Sequence, residues 1–214
     1  TKILVLSAGD AAAVLLERGG ETGLILMGDD SAVSASLGAL NERSVRELDF
    51  LILPDLSDKS VSHAMRLTDR VKINVLVIGA AGKFADTAAG MAVASTADWS
   101  SGELTFWGDC RAVREDGFVL LTIGKTRVLI ASAGADAAAL SESRRQTNLA
   151  VFTESAPKNV AALTLQAGIL SCDSASLDAA VKGFPRSSYE LFNTAADTVT
   201  AQTRGRGDIL VRAS

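Results

Sequence analysis

The segment DFLILP at residues 49–54 is followed at once by the polar segment DLSDKS at residues 55–60. A short, continuous apolar run that ends in a proline predicts a strand buried on both faces. The polar residues after it predict a loop, and then a helix from about Ser60 to Arg70. A second apolar run, KINVLVIG at residues 72–79, predicts another strand. The pattern is typical of a strand–loop–helix–strand unit.

The residues before this unit predict a meander that leads into a helix. The predicted strands are at residues 2–7, 11–18 and 23–28, and Gly19-Gly20 joins the last two. Asp29-Asp30-Ser31 supplies capping residues for the helix. Val33, Leu37 and Leu40 fall on one face of that helix and form its apolar side.

The second half of the chain repeats this order of elements. Its predicted strands are at residues 103–107, 110–115, 117–123, 126–131, 148–152, 168–172, 189–193, 197–203 and 208–212. Its predicted helices are at residues 135–145, 156–167 and 175–182. Gly124-Lys125 predicts a tight hairpin turn. Residues 80–102 are rich in Ala, Gly and Ser, which predicts a bridge between the two halves.

Two halves of this kind, each with helices on one face of a sheet, can bury their bare sheet faces against each other. We therefore predict an α+β fold, a four-layer αββα sandwich. It comprises a single domain at residues 1–214, with pseudo-repeat halves at about 1–80 and 103–214. The alternative is one doubly wound sheet, but hairpins at the start of both halves favour antiparallel pairing there.

Composition limits the possible functions. Hydrophobic residues make up 48% of the 214 residues and charged residues 21%, which excludes a disordered chain. One His and two Cys are too few for the three or four ligands of a conventional zinc centre. The net charge of -4 gives no general attraction to nucleic acid, although a local basic patch is compatible with it. No apolar run approaches the roughly 18 residues of a membrane span.

Several segments resemble those of a known family. Residues 51–54 (LILP), before their polar loop and helix, resemble the LVLTHPHADHIGG segment of metallo-β-lactamase-like hydrolases. Residues 8–15 (AGDAAAVL) resemble the GQGDAILI opening of one branch, and residues 23–28 (GLILMG) stand in place of its TILIDGG. Residues 118–132 resemble its hairpin ending in LLTGD, and residues 192–199 its closing VYRTDRDGAITV. That branch is the C-terminal domain of ComEC-type competence proteins, which are membrane channels for DNA uptake.

The resemblance implies a degenerate metal site. The family's HxHxDH ligand positions fall on Asp55, Ser57, Lys59 and Ser60. Its other metal-site positions fall on Met27, near Ala133, on Thr153 or Glu154, and near Asp173. Only oxygen ligands remain, and Lys59 places an ammonium group where a dication would sit. Metal-assisted hydrolysis needs a bound cation to activate water. We therefore expect no catalytic residues, no metal and no cofactor.

The expected function is a structural or binding role rather than hydrolysis. The resemblance implies a soluble domain of a membrane protein, on the outer side of the cytoplasmic membrane. Its expected partners are DNA or other domains of the same membrane protein. One alternative is an Mg²⁺- or Mn²⁺-dependent phosphodiesterase (nuclease) in which Asp55, Glu154 and Asp173 hold the cation. Another is a free-standing cytoplasmic module with no link to DNA.

The charges at the degenerate site lead to one geometric prediction. Carboxylates gathered at a loop cluster repel one another unless a cation lies near. We therefore expect the Lys59 ammonium within salt-bridge reach of Asp55, Glu154 or Asp173.

Other polar residues have simpler interpretations. His63 lies outside the Val61-Ala64-Met65-Thr68 stripe, which predicts a solvated side chain. Ser57 or Ser60 with Lys59 has no oxyanion motif, which argues against a Ser-Lys nucleophile pair.

The basic residues and the cysteines are interpreted in the same way. Residues 204–208 (RGRGD) predict a hairpin turn between the last two strands. Arg144-Arg145, Lys158 and Arg186 could contact phosphate, but no pattern places them together. Cys110 and Cys172 could form one bridge, but without local spacing partners they are expected to be small buried groups.

Overall fold

The fold is described from a computed structural model of the chain. It describes residues 1–9, 11–28, 30–54, 58–79, 91, 93–99, 102–115, 117–185 and 189–213, with the backbone alone for residues 58–61 and 98.

The first sheet combines N-terminal strands with the two last strands of the chain. Its strands within the described residues are β1 (Lys2–Leu6), β2 (Ala12–Arg18), β3 (Glu21–Met27), β4 (Glu47–Leu53), β5 (Lys72–Ile78), β6 (Val93–Asp98), β14 (Val199–Gln202) and β15 (Leu210–Ala213). They lie in the order β15-β14-β1-β2-β3-β4-β5-β6. Strands β1 to β3 pair antiparallel, and β3 to β6 pair parallel. The predicted meander thus leads into parallel strands.

The second sheet has the same plan. Its strands within the described residues are β7 (Glu103–Phe106), β8 (Cys110–Glu115), β9 (Phe118–Ile123), β10 (Thr126–Ala131), β11 (Leu149–Thr153), β12 (Ala167–Ser171) and β13 (Glu190–Asn193). They lie in the order β13-β12-β11-β10-β9-β8-β7. Strands β7 to β10 pair antiparallel, and β10 to β13 pair parallel.

The two sheets pack face to face, with helices on their outer faces. Alternate strand residues such as Val14 and Val151 form the apolar layer between the sheets. Helices α1 (Asp30–Glu42) and α2 (Asp58–Thr68) cover the outer face of the first sheet through residues such as Val33 and Leu67. Shorter elements, including the helix Leu177–Lys182, cover the second sheet. The layers are those of the predicted αββα sandwich.

Two predicted helices of the second half are wrong. Residues 135–145 form a 3-10 turn at Ala137–Ala139 and a short helix at Glu142–Arg145, and residues 156–167 contain only the 3-10 turn Val160–Ala162. The physical reason is that these two segments bond to each other, as in the bridges Asp136↔Lys158 and Gln146↔Thr164. Their backbone groups are therefore used between segments instead of within helices.

The boundary between the halves also differs from the prediction. The expected bridge at residues 80–102 contains β6, which extends the first sheet by pairing parallel to β5. Strand β14 returns from the second half to pair with β1. The first sheet is therefore completed by the end of the chain.

The two cysteines are buried thiols that are not joined in a disulfide. Burial raises the pKa of the Cys110 thiol to about 11. Among the described residues, no helix has the length and apolar character needed to cross a membrane.

Candidate functional site

The carboxyl ends of the parallel strands lie at one end of the sandwich. Ser171, at the end of β12, donates a hydrogen bond of 2.5 Å to the carbonyl oxygen of Ala11, just before β2. Ala12 in turn pairs with Met27 at the end of β3. This contact brings the strand ends of both sheets together. Open parallel sheets bind their ligands at such ends, so we call this region the candidate site.

Hydroxyl groups at the candidate site donate to the protein itself. Ser171 and Thr153 are buried, and the Thr153 hydroxyl donates to the carbonyl oxygen of Ala131 over 3.0 Å. The buried Thr194 hydroxyl donates to the Ser171 oxygen over 3.4 Å. These groups tie strand ends to one another. Their hydrogens are therefore committed to partners inside the fold.

Close backbone contacts shape the same end. A Cβ atom on Gly79, after β5, would lie 1.7 Å from the carbonyl oxygen of Pro54, after β4. A Cβ atom on Gly28, where φ is 117°, would lie 2.6 Å from the Cβ of Ala11. Only glycine fits in these places, since real Cβ contacts are much longer. The strand ends are therefore packed against each other without intervening side chains.

The predicted site residues fall into three groups. Met27 is buried at the end of β3. Ala133, Glu154 and Asp173 are exposed. Lys59 and Ser60 lie in α2, but their side chains, like Asp55 and Ser57 as a whole, lie outside the described residues. The expected salt bridge of Lys59 stays a prediction.

The carboxylates Glu154 and Asp173 follow neighbouring strands. Thr153 of β11 pairs with Ser171 of β12, and the Glu154 N–H donates to the Ser171 carbonyl oxygen over 2.8 Å. The Asp173 carboxylate accepts hydrogen bonds from the hydroxyl and the backbone N–H of Ser176, at 2.5 and 2.7 Å. These bonds hold the pKa of Asp173 below its usual range. Asp173 is thus a charged group already oriented by its own loop.

The prediction for His63 is wrong. Its side chain is buried, and its Nε2 atom lies 3.2 Å from Oδ1 of Asp30, which also accepts a 2.7 Å hydrogen bond from Arg66. The helix turns His63, Ala64 and Leu67 inward and leaves Met65 52% exposed. The sequence carried a signal for this orientation, because positions 63, 64 and 67 also follow helical spacing. The contacts of Asp30 with His63 and Arg66 join α2 to the first turn of α1.

The described residues do not fit a zinc centre. Among them, no three His, Cys, Asp or Glu side chains gather closely enough to hold a metal ion. Zinc binds thiolate, imidazole and carboxylate groups, whereas Met27 and the committed hydroxyls offer none of these. The one imidazole, His63, already faces Asp30. The donors among the described residues therefore do not supply the three or four ligands of a zinc centre.

Comparisons with solved structures identify the fold. The metallo-β-lactamase fold protein YhfI from Bacillus subtilis superposes with a TM-score of 0.61 at 11% identity, covering 99% of this chain and 100% of that one. Zn²⁺-bound PqqB from Methylobacterium extorquens superposes with a TM-score of 0.64 at 9% identity, covering 95% of this chain and 100% of that one. The metallo hydrolase Igni18 from Ignicoccus hospitalis superposes with a TM-score of 0.57 at 11% identity, covering 95% of this chain and 100% of that one.

In sequence, by contrast, the chain matches no known family and no curated protein. The structural likeness extends over nearly the whole chain in each of these cases, and it agrees with the two mixed sheets and their outer helices. The chain therefore has the metallo-β-lactamase fold.

Proposed function

We propose that this chain is a catalytically degenerate metallo-β-lactamase-fold domain with a structural or binding role. The carrying observation is that the Ser171 and Thr153 hydroxyls, at the ends of adjacent strands, donate to backbone carbonyls within the protein. A metallohydrolase of this fold would present metal ligands at these strand ends. Here the ends present hydroxyls that hold the sandwich closed.

The aliphatic residues at the same end support this proposal. By the resemblance, the family's aspartate positions fall on Met27, which is buried, and near Ala133, which is exposed. A thioether and a methyl group supply no charge to a hard or borderline cation. Losing both aspartates would remove two negative charges from the site, and these charges favour the binding of the cations that stabilise attacking and leaving oxygens.

We further propose that Lys59 supplies the positive charge that a metal ion would supply in an active relative. The carboxylates that Lys59 would neutralise are Glu154 and Asp173. Both lie at the candidate site, because each follows closely on one of the paired residues Thr153 and Ser171. An ammonium group can neutralise carboxylates, but it cannot lower the pKa of a bound water as a Lewis acid does. The expected consequence is a charge-balanced site without hydrolytic activity.

The wider role proposed here rests on the resemblance of the strand and turn motifs to ComEC-type proteins. In that role the domain belongs to a DNA-uptake membrane protein, on the outer side of the cytoplasmic membrane. Its partners are DNA or other domains of the same protein. The cytoplasmic alternative predicts instead that the full-length gene encodes no membrane-spanning segment and no export signal.

Metal binding and activity measured together test the proposal. The purified protein is dialysed against Zn²⁺, Mn²⁺ or Mg²⁺, analysed for bound metal, and assayed with bis-p-nitrophenyl phosphate and with DNA. We expect substoichiometric metal, no phosphodiester cleavage, and no stabilisation against urea. A site saturated at 100 times its Kd would instead add about 2.7 kcal/mol to the free energy of unfolding.

The alternative, an Mg²⁺- or Mn²⁺-dependent phosphodiesterase, makes the opposite prediction. Divalent-dependent cleavage that Asp173→Ala and Asp55→Ala both abolish would establish a carboxylate metal site and overturn the degenerate assignment. Asp178→Ala is the matched control, because Asp178 is an exposed carboxylate on the nearby helix Leu177–Lys182. A variant effect limited to Asp173 and Asp55 would separate a metal site from a general change in charge.

A further inference from the structure

The end of the sandwich opposite the candidate site carries two turns that are fixed to each other. The Lys125 N–H, in the turn between β9 and β10, donates to the Gly205 carbonyl oxygen over 2.7 Å. The Gly207 N–H donates to the Thr126 hydroxyl oxygen over 3.2 Å, and the Asn148 amide donates to the Gly207 carbonyl oxygen over 2.9 Å. The hairpin loop at residues 204–208 is therefore attached to the second sheet at three points.

Glycines allow these turns to touch. A Cβ atom on Gly124, where φ is 59°, would lie 2.5 Å from the Gly205 carbonyl oxygen. Beneath the loop, the buried hydroxyls of Thr126 and Thr203 lie 2.6 Å apart and connect the second sheet to the first. The glycines of the loop thus serve the predicted turn and also bring it against the neighbouring hairpin. The two turns form one rigid support.

Three cations project from this support. Lys125, Arg204 and Arg206 are exposed, and within the described part of the chain none of them forms an ion pair. We call these three residues the basic tip. Asp208 is the acidic residue of the same loop, so the tip keeps a local excess of positive charge.

Other arginines of the second half are already used. Arg144 forms an ion pair with Glu115, and Arg145 donates to the carbonyl oxygens of Leu140 and Ala138. These contacts hold loops of the second sheet in place. Arg144 and Arg145 therefore have structural contacts, whereas the basic tip has no comparable contact within the described part of the chain.

A cleft adjoins the basic tip. Its volume is about 580 Å³, and its walls include Lys2, Arg204, Ile209 and Leu210. Cavities that bind small ligands have volumes of about 300–1,000 Å³. Leu210 is 51% exposed, so the cleft offers apolar surface next to two cationic side chains. Such a cleft can take an extended strand with anionic groups at its rim.

We propose that the basic tip and its cleft bind single-stranded nucleic acid through the phosphodiester backbone. This assignment rests on the proposed binding role and names the surface that performs it. Lysine and arginine contact phosphates without reading sequence, so the binding is sequence-independent and salt-sensitive. The cleft combines apolar surface at Ile209 and Leu210 with cations at its rim, and this combination fits a single strand because its bases are unpaired and exposed.

A membrane surface fits the tip less well. Recognition of anionic lipids typically uses clusters of 4–8 basic residues, whereas the basic tip has three, and Lys2 of the cleft is paired with Glu17. Interfacial binding also inserts Trp, Phe or Leu side chains beside the cations. Among the described residues that line the cleft, Leu210 alone matches that chemistry and no aromatic residue is present. The concave cleft is suited to a strand, not to a flat surface.

Fluorescence anisotropy with a fluorescein-labelled oligodeoxythymidine tests the proposal. We expect weak binding, with a Kd in the range of about 10⁻⁶–10⁻⁴ M. The logarithm of the affinity should fall with the logarithm of salt concentration with a slope of about -2, since each of three neutralised phosphates contributes about -0.7 on a single strand. The triple variant Lys125→Gln/Arg204→Gln/Arg206→Gln should lose at least about tenfold in affinity and most of this slope.

A matched variant controls for total charge. Arg70→Gln/Lys158→Gln/Lys182→Gln also removes three exposed positive charges, but from other loops and helices. It should retain the affinity and the salt slope. Asp109→Asn should raise the affinity, because it releases Arg18 from its ion pair beside Gly124, whose N–H donates to the Asp109 carbonyl oxygen. An increase of this kind cannot come from unfolding.

Each remaining outcome overturns the proposal. Equal losses in the two triple variants would mean that general charge, not the basic tip, binds the strand. Absence of binding by the unaltered protein would also overturn it, while the metal and cleavage assays would still decide the degenerate site independently. Binding to phosphatidylserine vesicles without binding to the oligonucleotide would assign the tip to a membrane surface.

Discussion

The two ends of the sandwich are closed by the same device but leave different groups exposed. At the candidate site the Ser171 hydroxyl bonds to Ala11 and ties the two sheets together. At the basic tip the Thr126 and Thr203 hydroxyls do the same. The candidate site then presents internally bonded hydroxyls, aliphatic residues and the exposed carboxylates Glu154 and Asp173, whereas the basic tip presents three exposed cations. The fold supplies closure at both ends, and function depends on which side chains closure leaves uncommitted.

This difference has an energetic reason. A buried hydroxyl that loses its partner costs about 1–3 kcal/mol, so the closing contacts are strongly constrained at both ends. An exposed cation without an ion pair contributes little to stability, because surface pairs are worth about 0–1 kcal/mol. The basic tip can therefore keep its charges for a partner at little cost to the fold.

The largest expected effect is at the candidate site. Gly79→Ala should lower the free energy of unfolding by at least about 3 kcal/mol, because the new Cβ would meet the rigid Pro54 carbonyl oxygen at 1.7 Å. Urea denaturation measures the change. Gly38→Ala is the control, since Gly38 lies in α1 with nothing within 4 Å, and it should stabilise the protein by up to about 1 kcal/mol. A small loss for Gly79→Ala would mean that the strand ends are not in contact.

Ser171→Ala should have an intermediate effect of about 2 kcal/mol. The change leaves the Ala11 carbonyl oxygen without its 2.5 Å donor in a fully buried place. Chemical denaturation is again the measurement. Ser34→Ala removes an exposed hydroxyl that donates to the Asp30 carbonyl oxygen, and it should change stability by less than about 0.5 kcal/mol. Equal effects at the two serines would contradict closure of this end through Ser171.

Thr203→Val should have the smallest effect on stability, about 1 kcal/mol, because the Thr126 hydroxyl keeps its hydrogen bond from the Gly207 N–H and the Gly205 N–H that loses its partner is only partly buried. Its hydroxyl accepts a 2.9 Å hydrogen bond from the Gly205 N–H and contacts Thr126. The variant keeps every charge but loosens the support of the basic tip. We expect a severalfold loss of oligonucleotide affinity with an unchanged salt slope. If affinity stays the same, the rigid placement of the cations is unimportant.

The first half of the fold followed closely from sequence. The capping residues 29–31 and the apolar face predict helix α1, and the structure places it at Asp30–Glu42. Long, regular apolar patterns carry such information because one face of the element must be buried. The structure confirmed the meander-then-parallel plan of both sheets for the same reason.

Short patterns in the second half were less informative. A helix is predicted at residues 156–167, yet Val160, Leu163 and Leu165 cover the second sheet from an irregular segment. Asn159, with a φ of 53°, interrupts any helix there. A short apolar set can be buried by several backbone paths, and pairing with a distant segment selected this one.

For the candidate site, the sequence predicts the residue types and their positions at strand ends, but not the hydrogen bonds that their side chains form. Sequence placed Met27 and Thr153 at strand ends, and only the folded arrangement showed that the Thr153 hydroxyl donates to Ala131. The same holds for the basic tip. Its glycines predicted a turn, but the attachment of that turn to Gly124 joins residues about eighty positions apart. Local spacing specifies strands, helices and turns. The hydrogen-bond partner of a side chain depends instead on long-range contacts that no local pattern encodes.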